Sequence, residues 1–307
     1  MSRAAAVFIS VVGWAGVVAA SPLIDAKKTA FDGRHDTMHA EDLVLRPGDA
    51  QPYLYLQEGF ERLFRGELAT ATFAALSPQD RATVFTALSR MAFYMPTGHV
   101  DAMQRLHGWL ARHSEATPSQ GAALHAALLV ARRFDEALAL TRRAGLEDQG
   151  PARVLDRTVR VGGAVPTALY AAADAGVVER RAIGIDRGAW LVVLGEPACA
   201  FTQAAVEALL PDAELGPLLR KHAKWLAPAY TPLDTVAAWN AEHPGTTMGV
   251  LYAVSEWPAN RLDRVPSFYF MKDGVVVDAT EGWPEGGRRT EIVRGFQRIE
   301  LLPASAR

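Results

Sequence analysis

The apolar residues of this chain change period once, and that change bounds what it can fold into. Up to about residue 145 they recur every three or four positions, the spacing of one helix face. Val84, Leu88 and Met91 fall on one such face, and Met103, Leu106 and Leu110 on another. Ser77-Pro78-Gln79-Asp80 reads as a helix start: Ser can cap, Pro fits the first turn and Asp suits the positive end. Thr117-Pro118-Ser119 is a second start, and Pro96 and Gly98 break the pattern between them. After about residue 165, short apolar runs alternate with helical segments. Strands are expected at 177–185, 190–194, 247–254, 265–271 and 275–279, and helices at 202–210, 213–224, 233–240 and 291–302. Asp273-Gly274 marks a hairpin turn. An all-α region followed by an α/β region is the fold class this order implies.

A length of 307 residues suits roughly two domains. The boundaries read as a signal peptide at 1–20, a linker or arm at 21–50, a helical domain at 51–150 and an α/β domain at 151–307 that includes the connector. Residues 146–165 mix polar residues, Gly and Pro, and Gly162-Gly163 lacks the Gly-Lys-Ser/Thr of a phosphate loop. The formal charge of −2 gives no basic excess of the kind nucleic-acid binding needs.

The chain starts with Arg3, a mostly apolar run over 4–17 and the small residues Val18-Ala19-Ala20. That is a secretory signal with cleavage expected after Ala20, since the run falls short of the roughly 20 residues a bilayer demands. No cysteine follows the run to carry a lipid, and no stable membrane span is expected after cleavage. The expected location is periplasmic or secreted. Such compartments are oxidising, and structural cysteines there are normally paired. Cys199 is the only cysteine of the chain. It has no internal partner, so it is either an inert buried residue or a thiol that pairs with another molecule.

Three local signatures bear on that choice. Apolar Leu191–Leu194 runs into Pro197-Ala198-Cys199 and a helical pattern. Arg264-Val265-Pro266-Ser267 precedes the strand Phe268-Tyr269-Phe270. Phe270-Met271-Lys272-Asp273-Gly274-Val275 forms a hairpin. In this order they resemble the thioredoxin-like superfamily over about 177–303. The resemblance implies that the C-terminal domain is thioredoxin-like, that Cys199 is the active cysteine at a helix start, and that Pro266 is cis and lies beside it. It implies that Val265 offers its backbone to an extended substrate peptide. Trp257, Tyr269 and Trp283 either line that groove or belong to the core.

Two departures matter. Thr202 stands three residues after Cys199, where a resolving cysteine would be. It lies on the same helix face, and its hydroxyl is expected to donate to the sulfur. A mixed disulfide formed at Cys199 then waits for an outside thiol, because no second thiol releases it. The proton-transfer carboxylate that many thioredoxins hold six residues before the cysteine is replaced by Val193, and the nearest acid, Glu196, reads as an exposed turn residue. Separately, 121–145 resembles one tetratricopeptide-like helical hairpin, with Phe134 and Ala137 as packing positions between its helices, but no second copy follows at the spacing of roughly 34 residues.

His35 and His39 have the i, i+4 spacing that binds zinc on a helix, with Glu41 and Asp42 nearby, but they read as a solvated polar face. His107, His113 and His125 read as packing or surface residues, and no nucleophile elbow points to a hydrolase. Two functions stay open. One is an exported monothiol oxidoreductase acting through Cys199, with Thr202, Val265 and Pro266 in its site. It needs no cofactor beyond glutathione or another thiol as co-reductant, and its partners are protein or small-molecule thiols. The other is a redox-silent thioredoxin-fold protein that binds peptides or serves as a scaffold.

Overall fold

The computed structural model describes residues 22–39, 52–145, 151, 153–158, 165–172, 176–257 and 264–303. The expected signal peptide, and Glu41 and Asp42, lie outside them. Among the described residues no helix is long and apolar enough to cross a membrane.

The first half is helical: α1 (Pro22–His39), α2 (Pro52–Phe64), α3 (Pro78–Tyr94), α4 (Pro96–Arg112), α5 (Pro118–Val130) and α6 (Phe134–Ala144). The two helix starts read from sequence close as capping boxes. Ser77 accepts from the Asp80 amide while the Asp80 carboxylate accepts from Ser77 N, and Thr117 and Gln120 do the same at α5. Val84, Leu88, Met91, Met103, Leu106 and Leu110 are all buried, as their spacing requires.

The arm expected at 21–50 is corrected over its first part, because 22–39 form α1. Its apolar stripe is thin, essentially Ile24 and Phe31, seven residues or two turns apart and both buried. Phe31 meets the edges of Phe60 and Phe64 at ring distances of 5.6 and 6.0 Å. Two buried apolar residues, with ion pairs from Lys27 to Glu67 and from Asp32 to Arg90, hold a helix that is otherwise polar, which averaged hydropathy does not detect.

The second half is a mixed eight-stranded sheet with helices. Its strands are β1 (Arg153–Asp156), β2 (Thr167–Ala171), β3 (Val177–Ala182), β4 (Ala189–Leu194), β5 (Ala223–Ala227), β6 (Met248–Leu251), β7 (Ser267–Lys272) and β8 (Val275–Glu281). They lie in the order β1-β3-β2-β6-β5-β4-β7-β8. β4, β5 and β6 run parallel, and β7 joins β4 antiparallel with Leu194 opposite Ser267. Helices α7 (Ala200–Leu209), α8 (Leu215–His222), α9 (Leu233–Glu242) and α10 (Arg289–Arg298) all contribute to one core with Leu191, Val193, Phe268 and Phe270. Val192, Leu194, Tyr269 and Met271 face the opposite way, into a second cluster with Ile183, Ile185 and Trp257. β4 is therefore buried on both faces, which is why its sequence is a continuous apolar run rather than an alternation.

The Asp273-Gly274 turn appears as expected, with φ of 49° and 80° at its two residues. Close approach of α10 to β7 requires Gly295, where a Cβ would stand 2.2 Å from the Phe270 ring. Strands β1, β2 and β5 have no counterpart in the sequence reading. β5 begins where the expected 213–224 helix was to end, and its Ala223-Lys224-Trp225-Leu226-Ala227 is short and rich in helix formers. Pairing on both sides with β4 and β6 decides its state. In the α5–α6 hairpin, Ala137 is buried as expected, but Phe134 packs against the core of the sheet region.

Candidate functional site

Strand β4 ends at Leu194, and the Gly195 amide still donates to Leu226 O at 2.9 Å, so the chain leaves the sheet from a fixed point. Glu196 to Cys199 form a tight turn closed by Cys199 N donating to Glu196 O at 2.9 Å. Gln203 N then donates to Cys199 O at 3.1 Å, and its side chain to Pro197 O at 2.9 Å. Cys199 is the N-cap residue of α7 with extended φ and ψ of −81° and 120°. No side chain caps this helix, and its first turn holds no acidic residue. Cys199 is a free thiol, half-buried, flanked by exposed Ala198 and Ala200. Phe201, next along, is 60% exposed.

Pairing of Leu194 with Ser267 puts Val265-Pro266 at the sheet end from which the Cys199 turn departs. The Val265-Pro266 bond is cis, as the resemblance implied. Pro266 is buried and its carbonyl accepts from Gly282 N at 2.7 Å, while Ser267 Oγ donates to Arg264 O at 2.7 Å. Val265 is half-buried. Trp257, Tyr269 and Trp283 are at most 8% exposed and serve the core rather than a groove.

The expectation for Thr202 is corrected. It is fully buried, and its hydroxyl has no hydrogen-bond partner, the Cys199 sulfur included. Its methyl instead fills the space beside Gly195, where a Cβ would come within 2.7 Å of it. The residue packs the helix start onto the end of β4. Val193, in the position of the family's buried acid, is entirely in the core.

Glu196 is corrected as well. It is half-buried rather than exposed. Burial pushes its carboxyl above the usual range, and hydrogen bonds from the Thr231 hydroxyl and the Ala198 amide pull the other way. Thr231, 3% exposed, comes from the segment between β5 and α9. A sequence reading has no means of finding this partner 35 residues away, since the unrecognised β5 is what brings it there.

The histidines do not join this site. His35 Nε2 lies 3.1 Å from the Tyr94 hydroxyl, on the helical half, and burial pulls the half-buried His107 below its usual range, with Arg143 adding to the shift. Among the described residues no group of three or more His, Cys, Asp or Glu side chains is arranged to hold a metal ion.

No family model matches the sequence, and no curated protein does. A search of solved structures finds similarity to a thioredoxin-like protein from Bacteroides caccae ATCC 43185. The two are 12% identical over 90% of this chain and 94% of the other, with a TM-score of 0.29, too loose a likeness to carry any argument about the site.

Proposed function

We propose that the C-terminal region is a thioredoxin-like domain of an exported protein, and that Cys199 exchanges thiols and disulfides without a resolving cysteine. One observation carries the reading: the single thiol stands half-exposed on the uncapped start of α7, at the sheet end that also holds cis-Pro266. Unpaired helix N–H groups and the helix dipole favour an anion at such a point.

The Cys199 thiolate attacks one sulfur of a disulfide R–S–S–R′. The Cys199–S–S–R bond forms, the original S–S bond breaks, and R′S⁻ leaves and takes a proton from solvent. The thiolate of a small-molecule thiol such as glutathione then attacks the R sulfur of the mixed disulfide. Its disulfide with R forms, the S–S bond between Cys199 and R breaks, and the Cys199 thiolate leaves as the free group, able to take a proton from solvent. Half-buried Val265 next to Pro266 is the backbone against which an extended substrate would lie. Thr202 takes no part, since its hydroxyl is turned into the core.

The test is incubation of the native protein with glutathione disulfide, read by intact mass. One glutathionyl adduct at Cys199 is expected, and none in Cys199→Ala. An adduct that forms only in denaturant sinks the reading. The second reading, a redox-silent binding domain, is favoured by the same lack of a sulfur–Thr202 hydrogen bond, and it takes over in that event.

A further inference from the structure

Helix α5 ends in a Schellman motif: Arg132 N donates to Leu129 O at 3.0 Å and Arg133 N to Leu128 O at 2.9 Å. The motif places residue 132 in the left-handed region, with φ of 61°, where glycine is the usual occupant. An arginine there goes against local preference, so its side chain is the place to look for a reason. That side chain crosses into the sheet region. Nε donates to Tyr252 O at 3.0 Å, and Nη2 donates to Ala229 O at 2.9 Å and to Leu251 O. These carbonyls lie at or beyond the C-terminal ends of β5 and β6, the end of the parallel strands from which the Cys199 turn also leaves β4. Among the described residues no carboxylate hydrogen-bonds the guanidinium, and burial lowers its pKa to about 10, with Tyr252 and Glu256 pulling the other way.

The next residue along, Tyr230, stacks on Phe93 at the end of α3, with ring centroids 4.5 Å apart and planes at 28°. The residue after that, Thr231, donates to the Glu196 carboxylate, and Glu196 closes the turn through Cys199 N. Three consecutive residues thus hold, in order, an arginine of the helical region, an aromatic ring of the helical region and the turn before the thiol. A cavity of about 190 Å³ lined by Phe93, Leu129, Phe134, Tyr230 and Leu233 runs alongside this segment.

We propose that Ala229-Tyr230-Thr231 transmits the docking of the helical region to the Cys199 turn, which makes Arg132 and Thr231 positioning residues for the thiol. The helical half then acts as a brace for the site. The proposal rests on the thiol-exchange reading only in calling Cys199 the reacting group.

The test uses the full chain and two readouts: amide exchange over 195–202, and the rate of Cys199 alkylation by iodoacetamide. Arg132→Gly keeps the helix end, since glycine suits the left-handed position, and removes the three bonds to the sheet region. Amide exchange over 195–202 is expected to quicken by roughly threefold or more, with a matching change in alkylation rate. Phe93→Ala, at an exposed position, and Thr231→Val are expected to act the same way, and Thr231→Ser to behave as wild type. Should these variants loosen 228–233 yet leave 195–202 at the wild-type exchange rate, the coupling is wrong. Should wild-type Cys199 fail to react, the thiol reading falls, and the exchange data alone still decide the coupling.

Discussion

Ser77 and Thr117 close the starts of α3 and α5 with their own hydroxyls, whereas Cys199 leaves the start of α7 open. All three are N-cap residues in extended backbone, so the geometry is shared and only the side chain differs. The capped helices are framework: their boxes satisfy orphan amides and fix where each helix begins. The open one lacks that local satisfaction and presents a polarisable sulfur half in solvent. The helix start without a side-chain cap is the one that holds the thiol.

The largest loss of stability is expected at Ser77. Ser77→Ala is expected to lower stability by about 1–2 kcal/mol in denaturant unfolding, with no change in the rate of glutathionyl adduct formation at Cys199. A shift in that rate would mean the framework helices are not independent of the site in this respect. Thr202→Val comes next. Removing a buried hydroxyl that has no partner, at nearly constant shape, should raise stability by about 1 kcal/mol and leave the adduct rate alone. A destabilised or slower-reacting variant would show that the hydroxyl does bond the sulfur. The smallest change in stability is expected for Cys199→Ser, which installs an ordinary cap. Stability should rise by about 0.5 kcal/mol while adduct formation vanishes. No gain would indicate that the α7 amides are already satisfied without a cap.

The helical half was legible because its signals are local. The Ser77 and Thr117 starts and the Val84, Leu88, Met91 face are written within one or two turns, and the structure keeps them. What escaped there was α1, whose place depends on Phe31 meeting rings more than 25 residues away. In the sheet half, β4 and the Asp273-Gly274 hairpin could be read for the same reason, while cis-Pro266 was expected only from the resemblance. β1, β2 and β5 could not, because runs of four or five residues take their state from neighbouring strands. The site divides along that line. Cys199 stands at the helix start where the local pattern places it, and Pro266 at the sheet end that the resemblance implied. The half-burial of Glu196, the inward turn of Thr202 and the bracing by Thr231 and Arg132 are consequences of tertiary contact.

A lone, half-exposed thiol also sets how the protein behaves in the hands of an experimenter. With one sulfhydryl, the chain has no scrambled internal bridges to sort when it refolds. In a non-reducing gel every mixed-disulfide adduct then counts one occupied site on one molecule, and every covalent dimer of the chain counts two. Occupancy becomes a stoichiometry, read directly as band intensity, with one captured partner per chain as its ceiling.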